Sequence, residues 1–312
     1  MGWRTVYVEM ADKMFLRNNN LILKEESDEV FELEIPLSDI SVLIIDNPIM
    51  NISLPLLKKL LEFNIDPIIC GYDHQPLGIF IPFSGRTNEY SLQKKQLEWS
   101  QELKDIFIQH NIKAKIHNQI CIAQKYNVDE DKILMMKAYK ENVELGDSKN
   151  CEGIVARTYY RCIFGKNFKR FEDDNINAML NFGYQIIRAM ISKVLVSKGL
   201  NTRFGFQHIG DDNVFNLSDD IIEPFRPLID DYVIQNLENI LNTYTKSELI
   251  QLTTEKYFYN FRKDTLLHII EKHIDNILDF CETKDVSKLI FPDFEVFFTW
   301  EFFYFSIYQP TQ

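Results

Sequence analysis

An α+β protein of two domains is the fold class that this sequence predicts: a small β-rich N-terminal domain followed by a large all-α C-terminal domain. Three observations point there. Residues 3–45 gather β-branched and aromatic side chains into short runs punctuated by Asn, Asp and Ser. Beyond about residue 90, apolar side chains recur at three- and four-residue spacing, the period of a helix. A chain of 312 residues also suits two domains at ~100–200 residues each. The composition shift places the β-rich domain at 1–85, a linker and first helix at 86–100, and the α-helical domain at 101–312.

TVYVEM, KMFLR, LILKE, VFELEI and ISVLII read as successive strands. NISLPLLKKLLEF then switches to helical spacing, with Leu54, Leu57, Leu60, Leu61 and Phe63 as its apolar face. DPIICGYD and LGIFIP return to strand, and SGRTNEYS, rich in turn residues, is the linker. Helices follow in LQKKQLEWSQELKDIFIQH, KAKIHNQICIAQKY, DEDKILMMKAYKENVEL and NCEGIVARTYYRCIF. They continue through NINAMLNFGYQIIRAMISKVLVSK, PLIDDYVIQNLENILNTY and LLHIIEKHIDNIL, so the second domain reads as almost entirely α. The aromatic run FEVFFTWEFFYFSIY is read as a core helix, with a subunit interface as the alternative.

Composition narrows the class. There is no apolar run of 18 residues for a membrane span, and MGWRTVYVEM lacks the features of a signal peptide, so a cytoplasmic location is expected. The five cysteines are scattered and never spaced CxxC, which argues for a reducing compartment and against a disulfide framework or a thiolate zinc site. A net charge of −12 opposes unaided binding to a polyanion. Yet Gly153–Arg203 carries nine basic side chains against three acids, a basic segment inside an acidic protein. It is either a solvated helix surface or a phosphate-binding face.

That segment leads into FGFQHIGDDNVFNLSDDIIEPFRP, residues 204–227. Here a glycine-flanked imidazole, His208, meets Asp211, Asp212, Asp219, Asp220 and Glu223. Glu223 stands at a helix break, with Pro224 opening the next helix. Upstream, Glu152 falls on the apolar face of its helix beside Val155, Ala156, Tyr159 and Ile163, with Ser148 or Asn150 as N-cap. A carboxylate on that face calls for a cation, a metal or hydrogen-bond donors; otherwise it is a half-solvated first-turn glutamate favoured by the helix dipole. His208 by itself reads as easily as a structural histidine. His268 and His273, five apart, do not share a face, and His74, His110 and His117 show no acidic neighbourhood in sequence. One imidazole with two or three carboxylates suits Mg²⁺ or Mn²⁺ better than zinc. Such a centre serves phosphodiester chemistry. No GxSxG, Walker, GxGxxG or HExxH motif competes.

Four motifs in fixed order carry a family resemblance: NCEGIVARTYY followed by CIFG, then EDDNINAMLNFGY, then GFQH, then FNLSDDIIEPFRPLID. With the opening MGWRTV and the GIFIPFSGR segment, they make the chain resemble the CRISPR-associated endonuclease that serves as integrase of spacer acquisition, most nearly its type II branch. The resemblance covers nearly the whole chain. It implies a dimerising β domain, an α-helical catalytic domain, and a divalent Mg²⁺ or Mn²⁺ held by Glu152, His208 and Glu223, with Asp220 as an assisting acid. It implies DNA as substrate, both spacer precursor and CRISPR repeat. The expected assembly is a homodimer joined by a small ferredoxin-like adaptation subunit into a heterohexamer. The activity implied is metal-dependent DNA cleavage and transesterification of a spacer 3′-hydroxyl into the repeat. Arg157, Arg161, Lys166, Lys169, Arg170 and Arg203 are the expected phosphate contacts. Two other readings stand beside it. One is a non-catalytic DNA-binding or assembly scaffold of the same fold. The other is a metal phosphohydrolase of small phosphates, which leaves the basic segment without a role.

Overall fold

The computed structural model describes residues 2, 4–25, 31–72, 74, 76–82 and 89–294. Two compact units emerge. One comprises Met1–Thr87 with Ile250–Thr254, the other Asn88–Leu249 with Glu255–Gln312. Most of the expected linker SGRTNEYS and all but the first residue of the aromatic run FEVFFTWEFFYFSIY lie outside the described residues.

The N-terminal unit contains β1 (Arg4–Val8), β2 (Lys13–Arg17), β3 (Asn20–Glu25), β4 (Phe31–Pro36), β5 (Ile40–Ile45), β6 (Asn51–Ile52), α1 (Leu54–Glu62), β7 (Ile68–Cys70) and β8 (Pro76–Ile79). They form two four-stranded sheets, ordered β1-β5-β7-β8 and β4-β3-β2-β6. The first pairs β1, β5 and β7 in parallel and ends on the antiparallel β8. The second is the meander β2-β3-β4 with β6 added parallel to β2. Val6, Val8, Leu43 and Ile45 from one sheet share a core with Met14, Leu21, Leu23 and Ile35 from the other. This is the two-layer solution for sheets that each have one apolar face.

α1 corrects the expected helix face. Leu56 and Leu60 are the fully buried pair, Leu57 packs beside them, and Leu54 and Phe63 are exposed. Consecutive leucines offer two stripes at helical spacing, and only the sheet beneath selects one.

The second unit holds α2 (Glu89–Leu97), α3 (Gln101–Lys125), α4 (Glu130–Glu141), α5 (Cys151–Phe164), α6 (Asn175–Ser197), α7 (Asn216–Ile222), α8 (Arg226–Gln235) and α10 (Leu266–Thr283). α9 (Thr243–Gln251) spans the point where the chain passes from this unit to the first. None of these helices is long and apolar enough to cross a membrane. The unit is not all-α, contrary to expectation. β9 (Lys256–Tyr259) and β10 (Arg262–Thr265) form an antiparallel hairpin. Its turn places Asn260 and Phe261 at positive φ, the geometry that matches strand twist in a two-residue loop. PLIDDYVIQNLENILNTY is likewise not one helix, since it breaks after Gln235.

Candidate functional site

α3 is the axis of the site. This 25-residue helix is apolar over much of its surface, but Asn111, Lys115, Asn118 and Gln119 form a buried polar stripe. Positions three, four and seven apart share one face, so the stripe is continuous. Asn111 Nδ2 donates to the Asp220 carbonyl at 2.7 Å, and Asn118 Nδ2 to the Pro224 carbonyl at 2.7 Å. The segment carrying Asp220, Glu223 and Pro224 is thereby clamped against α3.

Glu152 enters from the first turn of α5. Asn150, in the left-handed region, is the N-cap and accepts from Gly153 N at 3.3 Å. Asp147 adds a second cap, accepting from Cys151 N at 2.8 Å and Glu152 N at 3.1 Å. Both satisfy amides that the helix leaves open. The cation that the Glu152 side chain requires is Lys115, whose buried ammonium contacts both Glu152 Oε1 and Glu223 Oε2.

Glu223 does not open a clean break. α7 runs into a 3-10 turn, Glu223–Phe225, and α8 begins at Arg226 with Pro227 in its first turn. Glu223 keeps helical angles (φ −51°, ψ −47°), so the chain bends without losing its helical path. Arg226 Nε donates to Glu223 Oε1 at 3.1 Å. Burial pushes the Glu223 carboxyl up, but Arg226 and Lys115 outweigh it and hold its pKa at about 2. Glu223 Oε2 is shielded from water and is held by the Lys115 ammonium at 2.5 Å. Two carboxylates facing each other across one cation are a donor pair of the kind that a hard metal ion takes.

His208 is held by Asp220. Asp220 Oδ1 accepts from His208 Nδ1 at 2.7 Å and from His208 N at 3.0 Å, while Oδ2 accepts from Gln207 N at 3.2 Å and from Phe206 N. With Nδ1 turned to a carboxylate, the ring presents Nε2 as its remaining nitrogen. The hydrogen bond to Asp220 raises the His208 pKa against the opposing effect of burial. Beneath the loop, Phe206 stacks between Trp99 (4.7 Å between centroids) and Phe107 (4.0 Å). Gly205 passes so close to Asp220 that a Cβ there would sit 2.6 Å from Oδ2.

Of the expected site residues, Glu152 and Glu223 meet on Lys115, Asp220 meets His208, and His208 acts electrostatically on Glu223. The ligand atoms of Glu152, His208 and Glu223 do not all lie within 4.8 Å of one another. Among the described residues, the group that meets that spacing is His117, Cys121 and Asp293. His117 therefore does have an acidic neighbour, as does His74, whose Nδ1 lies 3.0 Å from Asp46. Asp293 and Cys121 raise the His117 pKa to about 10, and burial pushes that of His273 down to about 4.

The expected phosphate contacts divide. Arg157, Arg161, Lys166, Lys169 and Arg203 are exposed, Lys169 with Glu172 2.8 Å away. Arg170 is committed internally. It donates to Asn177 Oδ1 and, at 2.8 Å, to Asn181 Oδ1, and it lies over the Phe171 and Tyr184 rings. Asn177 in turn donates to the Lys169 carbonyl at 3.0 Å, and Asp174 caps α6. The DDNINAMLN motif is thus a brace for the basic segment. Lys115, Arg226 and Asp147 were missed in the sequence, although the polar stripe of α3 at helical spacing was a signal for the first.

A helical scaffold sets a buried carboxylate, Glu223, and a half-buried one, Glu152, on one cation beside a carboxylate-oriented imidazole. Comparison with known proteins agrees on lineage. The family model described as "CRISPR associated protein Cas1" matches residues 6–255, and the chain belongs to the Cas1 family. It is 29% identical over 298 residues to a CRISPR-associated endonuclease Cas1 of Neisseria meningitidis, covering 94% of this chain and 97% of the relative. A Cas1 endonuclease of Francisella tularensis subsp. novicida is 27% identical over 192 residues, covering 52% of this chain and 60% of the relative. Two solved structures share the fold. A casposase bound to integration product superposes with a TM-score of 0.72 at 20% identity, covering 92% of each chain. A Cas1 protein from Thermotoga maritima gives 0.71 at 18% identity, covering 93% of this chain and 99% of that one.

Proposed function

We propose that the protein is a metal-dependent DNA endonuclease and integrase of CRISPR adaptation, of the type II branch, joining the 3′-hydroxyl of short foreign DNA to a CRISPR repeat. The observation that carries this reading is the convergence of Glu152 and Glu223, from separate helices, on one buried cation beside the Asp220–His208 pair. Its other support is family membership and a fold shared with a casposase solved on its integration product.

Glu152, Glu223 and His208 Nε2 are the residues that would hold Mg²⁺ or Mn²⁺. The oxygen-rich donor set, two carboxylates that already share one cation, fits that ion. When bound, the ion would polarise the scissile phosphate and favour ionisation of the attacking hydroxyl or water. Asp220 fixes the tautomer and aim of His208. Lys115 and Arg226 limit the repulsion between the glutamates and the incoming phosphate. In strand transfer one P–O bond forms and one breaks, so the reaction needs no external energy source. In hydrolysis water replaces the 3′-hydroxyl.

The exposed Arg157, Arg161, Lys166, Lys169 and Arg203 carry the DNA backbone, and Arg170 shapes that surface from beneath. The assembly includes a homodimer formed through the N-terminal domain, where Ile49, Tyr72 and Leu77 are exposed. A small ferredoxin-like subunit joins it in a heterohexamer. A solved Cas6-RT-Cas1–Cas2 complex contains a similar fold, with a TM-score of 0.69 at 19% identity over 93% of this chain and 36% of that one.

One observation favours a second reading. Lys115 already pairs with both glutamates, and Arg226 supplies a second positive charge at Glu223, as a metal-free scaffold would require. Strand transfer from a labelled spacer into a repeat, with metal present or omitted, separates the two. Glu152→Ala is expected to abolish transfer while leaving the circular dichroism spectrum and subunit assembly intact. Absence of transfer by the parent protein with metal present would establish the scaffold reading, and transfer at the parent rate by Glu152→Ala, or without metal, would overturn the metal role of these side chains.

A further inference from the structure

α3 carries a second set of metal-capable side chains. His117 and Cys121 stand four residues apart and project to the same side of the helix. Asp293, from the segment beyond the 3-10 turn Val286–Lys288, meets them there. His117 Nε2 lies 2.9 Å from Asp293 Oδ1 and 3.8 Å from Cys121 Sγ, and one ligand atom from each residue falls within 4.8 Å of the other two. All three side chains are half-buried, shielded enough to fix their positions and open enough to admit an ion.

We propose that His117, Cys121 and Asp293 form a zinc site that braces the chain around Asp293 against α3. Imidazole nitrogen, thiolate sulfur and carboxylate oxygen make a mixed donor set that suits zinc. It is too soft for Mg²⁺ or Mn²⁺, the ions suited to Glu152, His208 and Glu223. Zinc bonds of about 2.0–2.2 Å to nitrogen and oxygen and about 2.3 Å to sulfur put the edges of a tetrahedron at roughly 3.3–3.6 Å. The His117–Asp293 and His117–Cys121 separations straddle that range, and the Cys121–Asp293 separation lies within 4.8 Å, so ligation draws the thiolate and the carboxylate together about the imidazole. Three protein ligands leave the fourth position to water.

The neighbouring contacts give the site a structural role. Asn118, next in sequence to His117, donates to the Pro292 carbonyl at 3.0 Å, and its Oδ1 accepts from Phe294 N at 3.1 Å. The same amide group donates to Pro224 in the Glu223–Phe225 turn. An ion at His117 thus fixes residues 292–294 to the turn of α3 that also holds the Glu223 segment. CxxC spacing is absent because Asp293, far along the chain, supplies the third ligand.

The test uses the full chain, stripped with chelator, desalted and titrated with Co²⁺ as a spectroscopic substitute for zinc. Saturable binding with a thiolate-to-cobalt charge-transfer band, erased by added Zn²⁺, is expected. Cys121→Ser is expected to lose the band, His117→Ala to weaken binding more than about 10-fold, and Glu152→Ala to keep the band. If Cys121→Ser does not fold, Asp293→Asn serves instead, retaining the band while binding weakens by a similar factor. The proposal is overturned by absence of a saturable band in the parent, by a band that survives Cys121→Ser, or by unchanged affinity in Asp293→Asn.

Discussion

Replacing Asp220 by Asn probes the link between fold and site most directly. The Asp220 carboxylate is buried and accepts four hydrogen bonds, three from the amides of Phe206, Gln207 and His208 and one from His208 Nδ1. Asparagine has nearly the same shape but turns one acceptor into a donor, so one pair of these donors faces an NH₂ group. An orphaned buried donor costs about 1–3 kcal/mol, and the surviving bonds lose their charge assistance. A total of about 2–5 kcal/mol follows after some relaxation. In a unit of this size that lowers Tm by roughly 5–15 °C. The reading of Asp220 as the group that orients His208 adds a second expectation. Apparent metal affinity in the strand-transfer assay should weaken about 10–100-fold, or roughly 1.4–2.7 kcal/mol. A titration of activity against Mn²⁺, paired with thermal melts, measures both. Asp219→Asn is the control, because its side chain contacts Arg188 and Asn213 and not His208. If Asp220 acts through His208, Asp220→Asn should cost little more metal affinity in a His208→Ala background. A metal titration unchanged in Asp220→Asn, or losses that add fully in the double variant, would refute the reasoning.

Three further outcomes follow from the structure. Gly205→Ala forces a methyl group against the Asp220 carboxylate and the His208 carbonyl, so it should lower Tm and reduce strand transfer at least about 10-fold, while Gly78→Ala, with open space around it, should do neither. His273 is fully buried, donates from Nδ1 to the Ile290 carbonyl at 2.8 Å, and has its pKa pushed down to about 4. The unfolded chain binds that proton more readily, so stability should fall as pH drops from about 6.5 to 4, by roughly 3 kcal/mol, and urea melts of His273→Phe should show a shallower loss. Arg161→Ala and Lys166→Ala, both at exposed positions, should each weaken DNA binding at all sequences and reduce the slope of log affinity against log salt by about one, as measured by fluorescence anisotropy.

The sequence reading did best where the signal was local. Alternation marked β1 to β5, and three- and four-residue spacing marked most of the helices of the second unit. Helix geometry alone also puts Glu152 on the face of Val155 and Tyr159 and offers Ser148 or Asn150 as N-cap, of which the structure uses Asn150. It failed where equivalent local patterns compete. The leucines of α1 offered two faces. KYFYNFRK lies between two expected helices in a domain that reads as almost entirely α, although its aromatic alternation and Asn fit a hairpin.

What the sequence determined by itself is the set of elements and the identity of the acids and the imidazole that stand out along it, because periodicity, capping and residue chemistry are properties of neighbours in the chain. Only the tertiary structure decided which of them share an environment. It brought Lys115 between Glu152 and Glu223, gave Asp220 to His208 and its loop, and turned Arg170 inward to Asn177 and Asn181. The physical reason is that a buried charge must find its counter-charge or donors somewhere in the packed interior, and sequence distance places no limit on where that partner comes from.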